Sequence, residues 1–233
     1  MGTAPAAVLC LHGWGRTHRD WLGCVDGLDA IALDLPGFGA SPAPAQAGGA
    51  AAYADLVEPI LEDCAARVVV VGHSFGGRIA AELAVRRPDV VAALVLCGVP
   101  LLRRCDRAAA KPPVGYRLLR GLHRRGMLGE HAMERARQRY GSADYRAAAG
   151  VMRSVLVAAV NESYETHLAR IAQPVELVWG RDDDAVPVQT AHRACSMLAA
   201  ARLSVLDGVG HFVPTEAPDA LASTIRQRLA ECS

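Results

Sequence analysis

The chain has 233 residues, enough for one α/β domain with a substantial core, and its formal net charge is +1. Hydrophobic residues make up 52% of it, but alanine supplies much of that share, and no uncharged apolar run reaches the roughly 18 residues of a membrane-spanning helix. The near-neutral charge and an aromatic content of 5% argue against a nucleic-acid-binding protein, and seven cysteines without a Cys-x-x-Cys pair predict reduced thiols and a cytoplasmic location.

The apolar pattern predicts a single domain of alternating strands and helices. Strands are expected near residues 6–11, 29–34, 67–72, 91–98, 174–179 and 202–206. Helices are expected near residues 18–26, 51–64, 76–86, 188–199 and 216–230. The first strand follows an N-terminus without basic residues, so it is interpreted as a core strand and not as a signal peptide. Because strands and helices alternate, the sheet is predicted to be mostly parallel and flanked by helices.

An insertion at residues 101–171 interrupts this alternation with sequence that is predicted to be helical. It contains 14 basic and 6 acidic residues, a net charge of +8, whereas the rest of the chain has a net charge of −7. Several of its arginines recur at helical spacing and are expected to form basic ridges: Arg117, Arg120, Arg124, Arg135 and Arg139. Such ridges would steer an anionic partner toward the mouth of the functional site. The alternative is that these arginines are only solvated surface residues on exposed helices.

The segment Gly72-His73-Ser74-Phe75-Gly76 is a candidate nucleophile site. It lies between a β-branched run and an alanine-rich helical stretch, which is the context of a serine nucleophile on a strand-to-helix turn. Glycines on both sides avoid the clash that a Cβ atom would make in this turn, and they leave the hydroxyl exposed. Ser74 is therefore the predicted nucleophile.

A base and an acid follow the serine in the chain, as nucleophilic catalysis requires. His211, a histidine in a glycine-flanked loop, follows the last predicted strand. Three aspartates follow the strand before it, and Asp182, Asp183 and Asp184 all compete for the role of the acid. The order serine, aspartate, histidine is the one found in α/β-hydrolases, and it differs from the orders of the chymotrypsin and subtilisin types.

A fourth element extends the resemblance to the α/β-hydrolase superfamily over nearly the whole chain. The first strand is followed by His-Gly-Trp-Gly at residues 12–15, which resembles the loop that supplies one oxyanion-hole donor in that fold. The resemblance implies backbone donors at Trp14 and Phe75. It also implies that Asp183, three residues after the glycine that ends the strand, is the acid, with Asp182 as the fallback. His73 would pack below the serine.

The same resemblance implies an architecture. Residues 1–100 and 172–233 would form the α/β-hydrolase core, and residues 101–171 would form a helical cap inserted in it, over the active site. The usual first two strands of the fold are expected to be missing, because so few residues precede the His-Gly loop: either they are naturally absent or this start is truncated.

Three segments resemble most closely the pimeloyl-acyl-carrier-protein methyl ester carboxylesterases: residues 11–15, 34–39 and 208–212. This resemblance implies cleavage of a carboxylic ester through an acyl-enzyme on Ser74, without a metal or an organic cofactor. The substrate would be a small-molecule ester, carrier-bound or otherwise anionic in its acyl part, and the cap arginines would hold an acidic acyl carrier protein. His12 and Arg78 are further candidates for contact with the substrate or partner.

Arg78 also fits a different chemistry. Menaquinone-pathway lyases, which eliminate pyruvate to form succinyl-hydroxycyclohexadiene carboxylate, share this fold and triad and carry an arginine four residues after the serine, as Arg78 stands here. His211 with Ser74 would then abstract a proton, and cap arginines would bind substrate carboxylates. A ligand receptor on a hydrolase scaffold, a C–C bond hydrolase and a cofactor-free perhydrolase are further alternatives.

Overall fold

The chain folds around a six-stranded parallel sheet with the strand order β2-β1-β3-β4-β5-β6. The structure is a computed structural model that describes residues 5–102 and 113–232. Its strands are β1 (Ala6–Leu11), β2 (Ala30–Leu33), β3 (Cys64–His73), β4 (Val91–Cys97), β5 (Val175–Gly180) and β6 (Ala201–Leu206). The predicted α/β class with a parallel sheet is confirmed.

Helices fill the connections between these strands. They are α1 (Ala50–Val57), α2 (Phe75–Arg86), α3 (Val114–Arg124), α4 (Glu130–Tyr140), α5 (Ala143–Ala147), α6 (Gly150–Asn161), α7 (Glu165–Leu168), α8 (Val188–Met197), α9 (Val213–Glu216) and α10 (Pro218–Cys232). None of the helices in the described ranges is long and apolar enough to cross a bilayer.

Two of the predicted helices are shorter than expected. The helix predicted at residues 18–26 is a single 3-10 turn, His18–Trp21, and the chain then leaves helical geometry before Gly27, which has a φ of 71°. The helix predicted at residues 51–64 ends as an α-helix at Val57 and continues as a 3-10 segment, Glu58–Asp63. Pro59 explains this second change, because proline has no N–H to donate to the carbonyl four residues earlier.

The four central strands, β1, β3, β4 and β5, are buried over most of their length, as the interior of a parallel sheet requires. Alternate residues of β3 enter opposite layers of the core: Val68 and Val70 pack in one cluster, and Val69 and Val71 pack in the other. The central strand is therefore almost continuously apolar up to the turn that carries Ser74. This packing fixes the end of β3, where the candidate nucleophile lies.

Helices α3 to α7 lie between β4 and β5, where the insertion was predicted. Glu134 of α4 links neighbouring helices, because it pairs with Arg153 of α6 and accepts a hydrogen bond from Tyr145 of α5. Helix α6 packs on the core through Val155 and Ala159. Residues 103–112 of the predicted cap lie outside the described residues, and the division into core and cap domains stays a prediction.

Candidate active site

Ser74 occupies a strained turn between β3 and α2. Its φ of 49° makes it the only non-glycine residue with a positive φ within residues 5–102 and 113–232. A Cβ atom at Gly72 would lie 2.5 Å from the Cα of Gly77, and one at Gly76 would collide with the carbonyl oxygen of Leu11. The glycines therefore let the chain turn sharply enough to present the serine, at a cost in backbone strain that the surrounding packing must offset.

His211 and Asp183 form a hydrogen-bonded pair. The His211 Nδ1 lies 2.8 Å from the Asp183 Oδ2, and the other carboxylate oxygen accepts a hydrogen bond of 2.7 Å from the backbone N–H of Val186. The Asp183 side chain is fully buried. An ionised carboxylate on Nδ1 fixes the tautomer with a proton there, so Nε2 is left as the basic nitrogen. Asp182, the alternative acid, has an exposed side chain.

Gly98 makes room for this pair at the end of β4. Its φ is 55°, and a Cβ atom there would lie 3.0 Å from the His211 Nδ1 and 3.2 Å from the Asp183 Oδ2. A side chain at this position would press on both partners and would also be strained by its backbone conformation.

The loop that carries His211 is held by two residues whose contacts the sequence did not indicate. Glu216 accepts hydrogen bonds from the backbone N–H groups on either side of the histidine, at 2.5 Å from Gly210 and 3.3 Å from Phe212. His73 donates from Nε2 to the carbonyl oxygen of His211 at 2.9 Å. A glutamate five residues after a candidate histidine, at the start of the helix predicted over residues 216–230, is the one signal that could have found the first of these contacts.

The burial of His73 makes folding stability depend on pH. Burial, together with the nearby His211, lowers the pKa of His73 to about 3. The native state therefore binds fewer protons than the unfolded chain below pH 6.5, so stability falls as the solution is acidified. We expect the wild type to lose about 3 kcal/mol more between pH 7 and pH 4 than His73→Gln. Urea unfolding of both proteins at both pH values measures this difference, and parallel losses would contradict it.

The His-Gly loop is anchored by His12, which does not face the cavity. His12 is fully buried, accepts a hydrogen bond at Nε2 from the N–H of Leu35 at 2.9 Å, and donates from Nδ1 to the carbonyl of Gly13 at 2.7 Å. Burial lowers its pKa, which favours this neutral form. The expectation that His12 contacts substrate or partner is therefore corrected: both ring nitrogens are used to hold the loop.

Trp14 and Phe75, the predicted oxyanion-hole residues, lie beside each other at the cavity that Ser74 lines. Their ring centroids are 5.8 Å apart in an edge-to-face arrangement, and both residues line the same cavity as the serine. Phe75 is the first residue of α2, where a backbone N–H has no partner within the helix. Its N–H is therefore available to an anion, and the positive end of the helix dipole adds to that preference.

A cavity of about 730 Å³ brings the predicted residues together. Ser74 and His211 line it together with residues of α5 and α6. Most of the other lining residues are apolar or aromatic: Trp14, Phe75, Pro100, Leu102, Leu156, Ala159, Val160, Ala185, Val186 and Phe212. The site is therefore a largely apolar chamber with the serine and histidine at its wall.

Arg78 reaches this chamber but is occupied by backbone acceptors. Its guanidinium donates two hydrogen bonds to the carbonyl of Pro100, at 2.9 and 3.1 Å, and a third to the carbonyl of Ala159 in α6. Its charge also lies over the ring of Tyr164 at 5.7 Å. Burial lowers the pKa of Arg78. The side chain thus ties α2 to the insertion, next to the candidate nucleophile.

The other arginines named from the sequence do not line the cavity. They lie on exposed positions of two helices of the insertion, Arg117, Arg120 and Arg124 on α3, and Arg135 and Arg139 on α4. Within the described ranges, no cluster of three or more histidine, cysteine, aspartate or glutamate side chains could hold a metal ion.

Known proteins with similar sequences include esterases. The pimeloyl-[acyl-carrier protein] methyl ester esterase of Aromatoleum aromaticum is 31% identical over 236 residues, which cover 89% of this chain and 91% of that protein. Protein ABHD8 of Bos taurus is 27% identical over 248 residues, which cover 97% of this chain and 56% of the relative. This chain therefore spans little more than half the length of that relative.

Solved structures share the fold at lower identity. A bacterial membrane phospholipase A has a TM-score of 0.71 at 24% identity, over 97% of this chain and 78% of that one. A thermophilic esterase from Thermogutta terrifontis has a TM-score of 0.69 at 22% identity, over 97% and 89%. A model of the alpha/beta hydrolase family matches residues 8–224. The predicted superfamily is thus confirmed, and this chain belongs to the alpha/beta hydrolase family.

Proposed function

We propose that the protein is a serine hydrolase that cleaves carboxylic esters, with Ser74 as nucleophile, His211 as base and Asp183 as the acid that orients it. One observation carries this proposal. A serine on a strained strand-to-helix turn shares a cavity with a histidine whose Nδ1 is bonded to a fully buried carboxylate. A strained backbone and a buried carboxylate both cost stability, and their coincidence at one cavity favours a catalytic role.

The mechanism has two steps. His211 Nε2 takes the proton from the Ser74 hydroxyl as the oxygen attacks the ester carbonyl, and the backbone N–H groups of Trp14 and Phe75 stabilise the oxyanion. His211 then protonates the leaving alcohol, which leaves an ester between Ser74 and the acyl group. Water, deprotonated by the same histidine, attacks this ester, and the serine regains its proton as the acid leaves.

The lining of the cavity favours an apolar acyl group. Apart from Arg78 and the histidines, the ionisable side chains at its wall are the carboxylates Asp144 and Glu162, which would repel an anionic chain. Glu162 is held in place, because it accepts hydrogen bonds from the N–H of Ala50 at 3.1 Å and the hydroxyl of Tyr164 at 2.7 Å. The proposed substrate is therefore an ester whose acyl part near the serine is uncharged.

Arg78 favours the hydrolase over the lyase. A lyase that eliminates pyruvate needs cations at its wall to bind substrate carboxylates. The guanidinium of Arg78 already donates three hydrogen bonds to backbone carbonyls, and the arginines of α3 and α4 lie away from the cavity. Releasing Arg78 for a substrate would leave buried carbonyl groups without partners, which costs about 1–3 kcal/mol each.

Hydrolysis of a p-nitrophenyl ester series, from acetate to decanoate, tests the proposed function. We expect turnover that rises with acyl length until the chain fills the cavity, and the released acid should appear in equal amount to the p-nitrophenol. Absence of hydrolysis at every length, with pyruvate release from a pyruvate-bearing substrate, would contradict the proposal and favour the lyase.

Glu216 offers a test of how the base is positioned. Glu216→Ala removes both acceptors that hold the loop around His211, whereas Glu216→Gln keeps one acceptor oxygen. Because small displacements of a catalytic group are costly, we expect kcat to fall about 100-fold in the alanine variant and less in the glutamine variant, with little change in KM. Steady-state kinetics would measure both constants, with the exposed Glu165→Gln as the matched control. Unchanged kcat in Glu216→Ala would contradict this role.

A further inference from the structure

Helix α3 carries an apolar surface that the ester-cleaving site does not use. None of its residues is buried. Val114 at its start and Met127, three residues beyond its end, are the most exposed large apolar side chains of the described part of the chain, at 78% and 71%, and Leu118 between them is 63% exposed. Apolar side chains grouped in this way are typical of an interaction surface.

The same helix is strongly basic. Residues 107–129 contain no aspartate or glutamate and six lysines or arginines. Four of them lie in or next to α3, and all four are exposed: Arg117, Arg120, Arg124 and Arg125. No carboxylate of the described ranges forms an ion pair with these arginines. This segment is therefore a local excess of positive charge, which attracts anions over a distance of about 10 Å at ordinary ionic strength.

The charged and apolar side chains of α3 lie on one exposed side. With 3.6 residues per turn, Val114, Leu118 and Arg125 fall almost in line, and Arg117 and Arg124 lie next to each other on one side of this line. A shallow depression of about 460 Å³ follows this line, and its walls are Arg117, Leu118, Gly121, Leu122, Arg124 and Arg125. A Cβ atom at Gly121 would meet no atom within 4 Å, so the depression is open to solvent.

We propose that α3 binds an anionic lipid surface. The arginines contact lipid phosphates, which guanidinium groups bind in bidentate geometry, and Val114, Leu118 and Met127 enter the headgroup region. A helix with basic side chains on one side and apolar side chains beside them, lying in the plane of the interface, binds in this way without spanning the bilayer. Binding to a lipid surface would thus be a second function of the protein, separate from the ester cleavage proposed for its cavity.

The exposed apolar residues decide between a lipid surface and an acidic protein. The carboxylates of an acidic carrier protein would pair with the arginines. They would not remove the valine, leucine and methionine side chains from water. A lipid surface removes both kinds of side chain from water at once. Nucleic acid fits less well, because Tyr116, the aromatic residue of α3, is half-buried against Tyr140, with ring centroids 5.9 Å apart.

Co-sedimentation with lipid vesicles tests the proposal. The whole protein is mixed with vesicles of phosphatidylcholine alone or with phosphatidylglycerol added. We expect binding to the anionic vesicles only, weakening as salt is raised, and weaker by about 30-fold in the double variant Arg117→Gln, Arg124→Gln. Leu118→Gln should also weaken binding, whereas exposed arginines outside α3, in Arg19→Gln and Arg67→Gln, serve as matched controls. Thermal unfolding confirms that each variant is folded.

Three results would overturn the proposal. The first is equal or absent binding to both kinds of vesicle by the wild type. The second is binding to anionic vesicles that the controls weaken as much as the α3 variants do. The third is loss of binding to an acidic acyl carrier protein in the α3 variants while vesicle binding is unchanged, which would assign the surface to a protein partner instead.

Discussion

Ser74→Ala is expected to lower kcat for ester hydrolysis by about a million-fold, because removal of the nucleophile abolishes the acyl-enzyme route. The remaining activity should still exceed the rate in water by roughly 1,000-fold or more, since the backbone donors of Trp14 and Phe75 continue to stabilise an oxyanion formed by attack of water. The measurement is kcat with the best p-nitrophenyl ester of the series, after wild type and variant have been purified by the same chromatographic steps to remove any contaminating esterase.

The stability of this variant separates a lost nucleophile from a lost fold. Alanine keeps the Cβ atom of Ser74, so the turn with its φ of 49° remains strained to the same degree and the melting temperature should stay close to that of the wild type. Ser223, exposed on α10, provides the matched control Ser223→Ala, which should leave kcat unchanged. A fall of less than tenfold in a folded Ser74→Ala protein would mean that another group is the nucleophile.

Asp183→Asn is expected to lower kcat about 10,000-fold. The asparagine can still accept the hydrogen bond from Val186 through Oδ1, but its amide places N–H donors where Oδ2 accepts from His211. The imidazole would then carry its proton on Nε2, the nitrogen that must accept the proton of Ser74. The two side chains would remain in place while the base is in the wrong tautomer.

The neighbouring aspartate supplies a matched control. Asp182 has an exposed side chain, so Asp182→Asn should change kcat by less than about twofold, as surface substitutions away from a site do. The pair of variants is compared by kcat and by urea unfolding. A larger loss of kcat in Asp182→Asn than in Asp183→Asn would make Asp182 the acid and contradict the assignment.

Local patterns in the sequence predicted the elements that position the site. The β-branched run of β3, the glycines around Ser74 and the glycines around His211 each act on their own neighbours, so their effect is visible within a few residues of sequence. Helix lengths were less predictable. The apolar spacing at residues 51–64 indicated one helix, yet Pro59 converts its second half to a 3-10 segment, and the strand begins earlier than its β-branched residues suggested.

Contacts to backbone groups could not be predicted, because nearly every residue has the same backbone N–H and carbonyl groups. The residue types therefore do not show which of these groups a side chain will bind. Arg78 is the clearest case: its position after the serine suggested substrate binding, whereas its guanidinium donates to the carbonyls of Pro100 and Ala159. His12 was misread for the same reason, since its partners are the N–H of Leu35 and the carbonyl of Gly13. Side chains near a nucleophile often hold the loops that surround it.

The total charge of the insertion was predictable from the sequence, but the positions of its charged side chains on the surface were not. The excess of arginine in residues 101–171 is evident from the sequence, and so is the helical spacing of those in α3. The packing of the insertion decides which of these arginines face solvent. It also leaves Val114 and Leu118 exposed among them. Arg153 shows the contrast, because it pairs with Glu134 and joins two helices.

Mass spectrometry of the acylated protein tests the proposed chemistry most directly. The wild type and Asp183→Asn are mixed with excess p-nitrophenyl ester, quenched in acid within the first turnovers, and digested. We expect one acyl group per chain, on the peptide that contains Ser74, and none in Ser74→Ala. Steady ester turnover without an adduct in either protein, or an adduct on another residue, would contradict a covalent mechanism at Ser74.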